Sequence, residues 1–135
     1  MDSISQAVLG AAVADALIPN QSKKRWPIIL GALLGTLPDL DMIPLKLFSP
    51  LAQLVDHRGF SHSILFCLLV APCLTFLFRK WNIHARQLSF KVLSIAFFGV
   101  LITHTLLDCF TSWGTQLFWP FSNYRVAFNS IFIID

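Results

Sequence analysis

Polar residues divide the chain into a series of apolar runs. The first extends from about Ile4 to Ile18, the second from Trp26 to about Phe48, the third from Ser61 to Phe78 and the fourth from Val92 to Phe110; a fifth begins near Val126. The third and fourth approach the roughly 20 residues a helix needs to cross a bilayer. The first is short for a span, and the second is interrupted by Pro38 and Pro44. A proline inside a helix removes a backbone hydrogen bond and clashes with the preceding turn. Non-helical backbone at membrane depth persists only where protein or a water-filled cavity satisfies it, so PDLD at 38–41 predicts a wet, protein-lined site. The expected fold is all-α, a polytopic membrane helical bundle of four to five helices with the second broken at PDLD. It forms a single integral membrane domain over residues 1–135.

Small residues sharpen this picture. Gly31 and Gly35 make a GxxxG pair in the second run, and Gly10 with Ala14 makes a small-xxx-small pair in the first; such spacing lets helix backbones approach closely in lipid. Composition agrees, since 56% of residues are hydrophobic and only 13% are charged, about half the charged share of a soluble domain. In 135 residues separate catalytic and sensory domains have no room, so any function lies within one bundle. Asp2 precedes the first run, Asp15 interrupts it and Lys23, Lys24 and Arg25 follow it. A cleavable signal carries its positive charge in front, so the first run reads as a retained helix. Cys67, Cys73 and Cys109 lie in apolar stretches without CxxC spacing and read as small buried hydrophobes.

The net charge of +3 does not point to nucleic acid. Its basic residues gather in two short loops, Lys23, Lys24 and Arg25 in one and Arg79, Lys80, Arg86 and Lys91 bracketing the other, as expected of cytoplasmic loops. That orientation puts the N-terminus outside and gives four crossings before residue 111. Residues 49–60 and the stretch after Phe110 then face outward. The expected location is a membrane crossed several times, with membrane lipid as the surroundings.

Against this background six ionisable residues stand out: Asp39 and Asp41 in PDLD, His57 and His62 in HRGFSHS, and His104 and Asp108 in HTLLD. Each such group in hydrocarbon costs several kcal/mol, on the order of 2.5–3.5, unless paired, hydrated or bound to metal. At 1.5 Å per helical residue, Pro38 lies about 18 Å in from Trp26, His104 about 20 Å in from Lys91, and both Asp108 and His62 about 26 Å in. All three clusters therefore reach one level in the outer half of the bundle. His104 and Asp108, four apart, share a helix face, and imidazole with carboxylate suits zinc, manganese or iron. Asp39 and Asp41 flank a turn that can aim two carboxylates into one cavity, although the second is also placed to cap a following helix. Ser61 is positioned to cap the third helix, with His62 in its first turn. Arg58 can clamp an anionic phosphate or carboxylate, or bind lipid headgroups. Three histidines and three aspartates suffice for two divalent ions, whose chemistry is to lower the pKa of a bound water and stabilise an in-line displacement. His84 in the basic loop reads as solvated, Asp15 as paired at the cytoplasmic side and Asp56 as support for the site.

These residues also carry a family resemblance. DSISQAVLGAAV, GALLGTLPDLD, HRGFSHS and HTLLDCFTSWGTQLFWPFS, in that order and over nearly the whole chain, resemble the LexA-regulated, membrane-bound metal-dependent hydrolases, the YdjM-type inner-membrane proteins. The resemblance implies metal-dependent hydrolase activity in the bacterial inner membrane, induced with the DNA-damage response (the SOS response). It falls on Asp39, Asp41, His57, His62, His104 and Asp108 as metal ligands, with zinc or manganese as the favoured divalent ion. Arg58 and Ser61 are the further catalytic candidates, and Thr111 a supporting one. Two departures are visible. Many members resemble THALLG near the start, where this chain has Gln6 in place of the histidine. The chain also stops at FIID, where the family pattern continues through another apolar segment, which implies that Asp135 is an acid at a truncated end.

The leading functional expectation is hydrolysis of a lipid or lipid-linked phosphate or ester through a metal-activated water. A metal-free lipid phosphatase is a weaker alternative. His104 and Asp108 resemble the HxxxD ending of the phosphatidic-acid-phosphatase type 2 superfamily, but its PSGH element and upstream lysine-arginine motif are missing. A third expectation is a non-enzymatic membrane protein that uses the same ligands for metal binding, transport or regulation.

Overall fold

A computed structural model describes residues 3–19, 25–41 and 59–130. Its helices are α1 (Ser3–Leu17), α2 (Trp26–Thr36), α3 (Ile64–Trp81), a single-turn α4 (Ile83–Arg86) and α5 (Phe90–Cys109). Among the described residues there is no β-sheet, only an isolated antiparallel bridge between Thr115 and Val126. Two of the helices, α3 and α5, are long and apolar enough to cross a membrane, while α1 and α2 are shorter apolar helices. Large apolar side chains face outward on every long helix, among them Ile4, Val8, Leu33, Leu68, Phe76 and Ile95. An outward surface this apolar matches a lipid environment better than water.

The chain builds two antiparallel hairpins, α1 with α2 and α3 with α5, joined chiefly through the packing of α1 on α5. The α1–α2 crossing is made by the predicted small residues. A methyl group added at Gly10 would strike the Gly31 carbonyl oxygen, one added at Gly31 would strike the Gly10 carbonyl oxygen, and one at Gly35 would come within 2.6 Å of the Gln6 carbonyl oxygen. The two backbones are therefore in direct contact. Helix α5 is the central element, with Leu93, Ala96, Phe97, Val100 and Leu101 packed against Ala14 of α1 and Ile18 just after it, Leu34 of α2 and Cys67 and Ala71 of α3. Cys67 and Cys109 are buried and free as expected, whereas Cys73 lies exposed on the outer face of α3.

The predicted break of the second helix at PDLD is present, while Pro44 lies outside the described residues. After Thr36 the second helix tightens into a 3-10 turn, Leu37–Asp41, that carries PDLD. A second 3-10 turn, Phe60–His62, precedes α3, so Ser61 does not cap that helix and His62 lies outside it. Ser63 is the cap instead. Its backbone is extended, as an N-cap requires, and its Oγ accepts from Phe66 N at 3.1 Å. Removing this cap with Ser63→Ala should lower stability by about 1 kcal/mol, measured as a reduced unfolding midpoint in detergent.

The apolar stretch from Val126 does not form a fifth helix over its described residues. Val126 N donates to Thr115 O, Phe128 N to Cys109 O and Ser130 N to Phe110 O. These backbone groups pair with the end of α5 and the chain leaving it, and Asn129 takes a positive φ of 52°, so no helix forms over 126–130. The chain between α5 and that segment packs on the start of α3: Ile64 N donates to Leu117 O at 3.0 Å, and the rings of Phe60 and Trp119 pack edge to face.

Candidate metal centre

At the end of the bundle where α2 gives way to its 3-10 turn, four ligand groups from three separate segments converge. Asp39 comes from PDLD, His62 from the turn before α3, and His104 and Asp108 from successive turns of α5. One ligand atom from each lies within 4.8 Å of all the others. His62, His104 and Asp108 are buried, while the side chain of Asp39 is 19% exposed and reaches the surface.

The ring nitrogens have divided duties. His104 Nδ1 lies 2.6 Å from the Gly35 carbonyl oxygen. A carbonyl can only accept, so Nδ1 carries the proton and the Nε2 lone pair of the neutral ring points into the cluster. His62 Nδ1 is 2.9 Å from Ser61 Oγ, which likewise leaves its Nε2 facing inward. The two Nε2 atoms are 3.1 Å apart. Asp39 Oδ1 is 3.5 Å from each of them, and Asp108 Oδ2 is 3.2 Å from His62 Nε2 and 3.8 Å from His104 Nε2.

These separations have a geometric meaning. Donors held about 2.0–2.2 Å from a tetrahedral ion lie about 3.4 Å from one another. The five separations above, 3.1–3.8 Å, fall close to that value. The cluster could therefore hold a single ion between two imidazoles and two carboxylates. Hydrogen bonds on the outward side of each imidazole are the pattern by which metal sites fix ring orientation and tautomer.

One supporting residue was not singled out as part of the site from the sequence. Gln6 is almost fully buried in α1, and its Nε2 donates to Asp108 Oδ1 at 2.9 Å. That bond occupies one carboxylate oxygen and leaves Oδ2 for the centre. Gln6 Oε1 has no hydrogen-bond partner. The signal was present in the spacing, because Gln6, Gly10 and Ala14 are four apart and are the buried residues of α1. Thr111 acts farther out, with Oγ1 donating to the main-chain oxygen of Asp108 at 2.7 Å to close the end of α5.

Of the residues expected from sequence, Asp39, His62, His104 and Asp108 are brought together, and Ser61 adjoins His62. His57, Arg58 and Asp56 lie outside the described residues, as does the side chain of Asp41. Asp15 is exposed at the far end of α1.

Fold and site together define a small all-helical membrane protein whose hairpins enclose a histidine–aspartate cluster that could hold a metal ion. The chain belongs to the YdjM inner membrane protein family, whose profile matches residues 1–135. It is 30% identical over 119 residues to the inner membrane protein YbcI of Escherichia coli (strain K12), covering 87% of this chain and 64% of that protein. It is also 29% identical over 144 residues to the uncharacterized protein YfhP of Bacillus subtilis (strain 168), covering 100% of this chain and 42% of that one. The chain thus spans less than two thirds of the length of these curated relatives. No solved structure matches the chain significantly.

Proposed function

We propose that this protein is a multi-pass, metal-dependent hydrolase of the inner membrane, acting on a lipid or lipid-linked phosphate or ester. The observation that carries the reading is the convergence of His62 Nε2, His104 Nε2, Asp39 Oδ1 and Asp108 Oδ2. A divalent ion such as zinc or manganese held there would supply a Lewis acid and lower the pKa of water. The chain's own residues do the rest. Gly35 O and Ser61 Oγ orient the two imidazoles, Gln6 restricts Asp108 to one free oxygen, and the burial of three ligands excludes bulk water. Asp39, on the exposed side, is the ligand next to which substrate enters. Arg58 is assigned to an anionic oxygen of the substrate by its place in HRGFSHS.

A second reading, a metal centre without turnover, is favoured by one specific feature. Four protein side chains are available to one ion, as in structural sites, whereas catalytic sites keep one position open. Purified protein in detergent separates the two. Metal content together with release of phosphate or fatty acid from bacterial lipid extracts supports the hydrolase. Bound metal without any release supports the second reading, and absence of metal overturns both.

The role given to Gln6 has its own measurement. Gln6→Leu keeps the volume of the buried side chain and removes its hydrogen bond to Asp108. Metal affinity should fall by roughly 10- to 100-fold, as for other supporting partners of metal ligands, in competition with a chelating dye. Unchanged affinity in a variant that still runs as a monodisperse species would remove Gln6 from the account.

A further inference from the structure

At the end of the bundle away from the metal centre, α3, α4 and the start of α5 assemble a cationic cleft. Arg86 Nε donates to Arg79 O at 2.8 Å, Arg86 Nη2 donates to Lys80 O, and Arg79 Nη2 donates to Arg86 O at 3.2 Å. Arg86 is thereby consumed in covering the last carbonyls of α3, a place that favours cations. Arg79 is held by the same exchange and lies 6.0 Å from the centroid of the Phe90 ring. One of its donor groups is used, and a guanidinium has five.

The cleft beside it has a volume of about 310 Å³ and is lined by Phe76, Arg79, Lys80 and Phe90. Among the described residues no carboxylate pairs with Arg79, Lys80, Arg86 or Lys91. The acids with described side chains are Asp15, Asp39 and Asp108, and the linker between α3 and α5 contains none. The two phenyl rings are exposed, Phe76 at 67% and Phe90 at 41%, and Trp81 and Ile83 beside them are more than half exposed. A preoriented guanidinium and a free ammonium thus sit over two apolar walls, at the ends of the two helices able to span a membrane.

We infer that this cleft binds one anionic phospholipid, its phosphate between Arg79 and Lys80 and its first acyl carbons against Phe76 and Phe90. A soluble phosphate would satisfy the charges and leave the rings uncovered. A zwitterionic lipid would cover the rings and bring its own cation to a site that already has two. Only an amphiphile with net negative charge uses both halves, and its source is the membrane leaflet at this end.

The test uses the full chain, delipidated in mild detergent and titrated with phosphatidylglycerol, phosphatidylcholine or glycerol phosphate, with binding followed by native mass spectrometry and by thermal midpoint. One phosphatidylglycerol per chain with a raised midpoint is expected, and neither of the other two should reproduce it. The double variant Arg79→Gln, Lys80→Gln should bind phosphatidylglycerol roughly thirtyfold more weakly. Lys91→Gln, which removes a nearby cation outside the cleft, should bind it as well as the parent does. Equal binding of phosphatidylcholine, a full effect of glycerol phosphate alone, or equal losses in the double variant and Lys91→Gln would overturn the assignment. If the double variant does not fold, Phe76→Ala replaces it, since loss of one apolar wall must then weaken the lipid while leaving charge untouched.

Discussion

Asp108→Ala protein is expected to leave purification without metal, while the parent carries about one divalent ion per chain. In the proposed centre Oδ2 of this carboxylate is the ligand atom and Oδ1 accepts from Gln6, so truncation would remove a ligand and its support together. Loss of a supporting partner alone costs roughly 10- to 100-fold in affinity; loss of the ligand should exceed the upper end of that range. Elemental analysis of protein prepared without chelators measures the difference directly. Chelation adds a second readout, because a ligand that binds only the folded state raises its stability. Exhaustive chelation should therefore lower the unfolding midpoint of the parent and leave that of Asp108→Ala unchanged. A parent protein free of metal would mean that the four side chains are a hydrogen-bonded lock between helices, and the hydrolase reading would go with it.

Gly31→Leu should have the largest effect on the fold itself. The position faces the Gly10 carbonyl oxygen and the Ala14 methyl group, and backbone cannot move aside as a side-chain tip can. Overpacking in cores costs about 1–3 kcal/mol, and a backbone-to-backbone crossing belongs at or above the top of that range. The damage should also reach the metal centre. Parting α1 from α2 displaces Gln6 from Asp108 and shifts Gly35, whose carbonyl holds His104. Thermal unfolding and metal content should fall together in Gly31→Leu. In Leu33→Ala, an exposed change on the same helix, neither should move.

What could be read from the chain alone was the arrangement imposed by lipid. Hydrophobic length gave α3 and α5, the glycine spacing gave the α1–α2 crossing, and helix rise measured from the basic loops brought PDLD, HRGFSHS and HTLLD to one level. The convergence of Asp39, His62, His104 and Asp108 follows from those three facts. Local hydrogen-bond geometry was less accessible. Ser61 and Ser63 are both plausible caps by residue type, and the choice was made by the 3-10 turn at Phe60–His62, in which Ser63 N reaches back to Phe60 O. The stretch from Val126 is apolar enough for a helix, but its backbone donors find partners in the chain leaving α5, a tertiary choice that periodicity does not encode. Gln6 was noticed only as a departure from a family pattern. Its role depends on a contact across 102 residues, which no local pattern contains.

The order of the donors along the chain has a consequence for biosynthesis. Asp39 and His62 precede the last described helix, and His104 and Asp108 both lie near its end. A ribosome that has not yet released residue 108 carries at most three of the four ligands, and Gln6 has nothing to hold. The site cannot exist on a partly inserted chain. The earlier helices must therefore be accommodated by the insertion machinery with Asp39 and His62 still lacking partners on α5, and the arrival of that helix is the event that completes the cluster. Metal loading at the proposed centre would then report completed insertion.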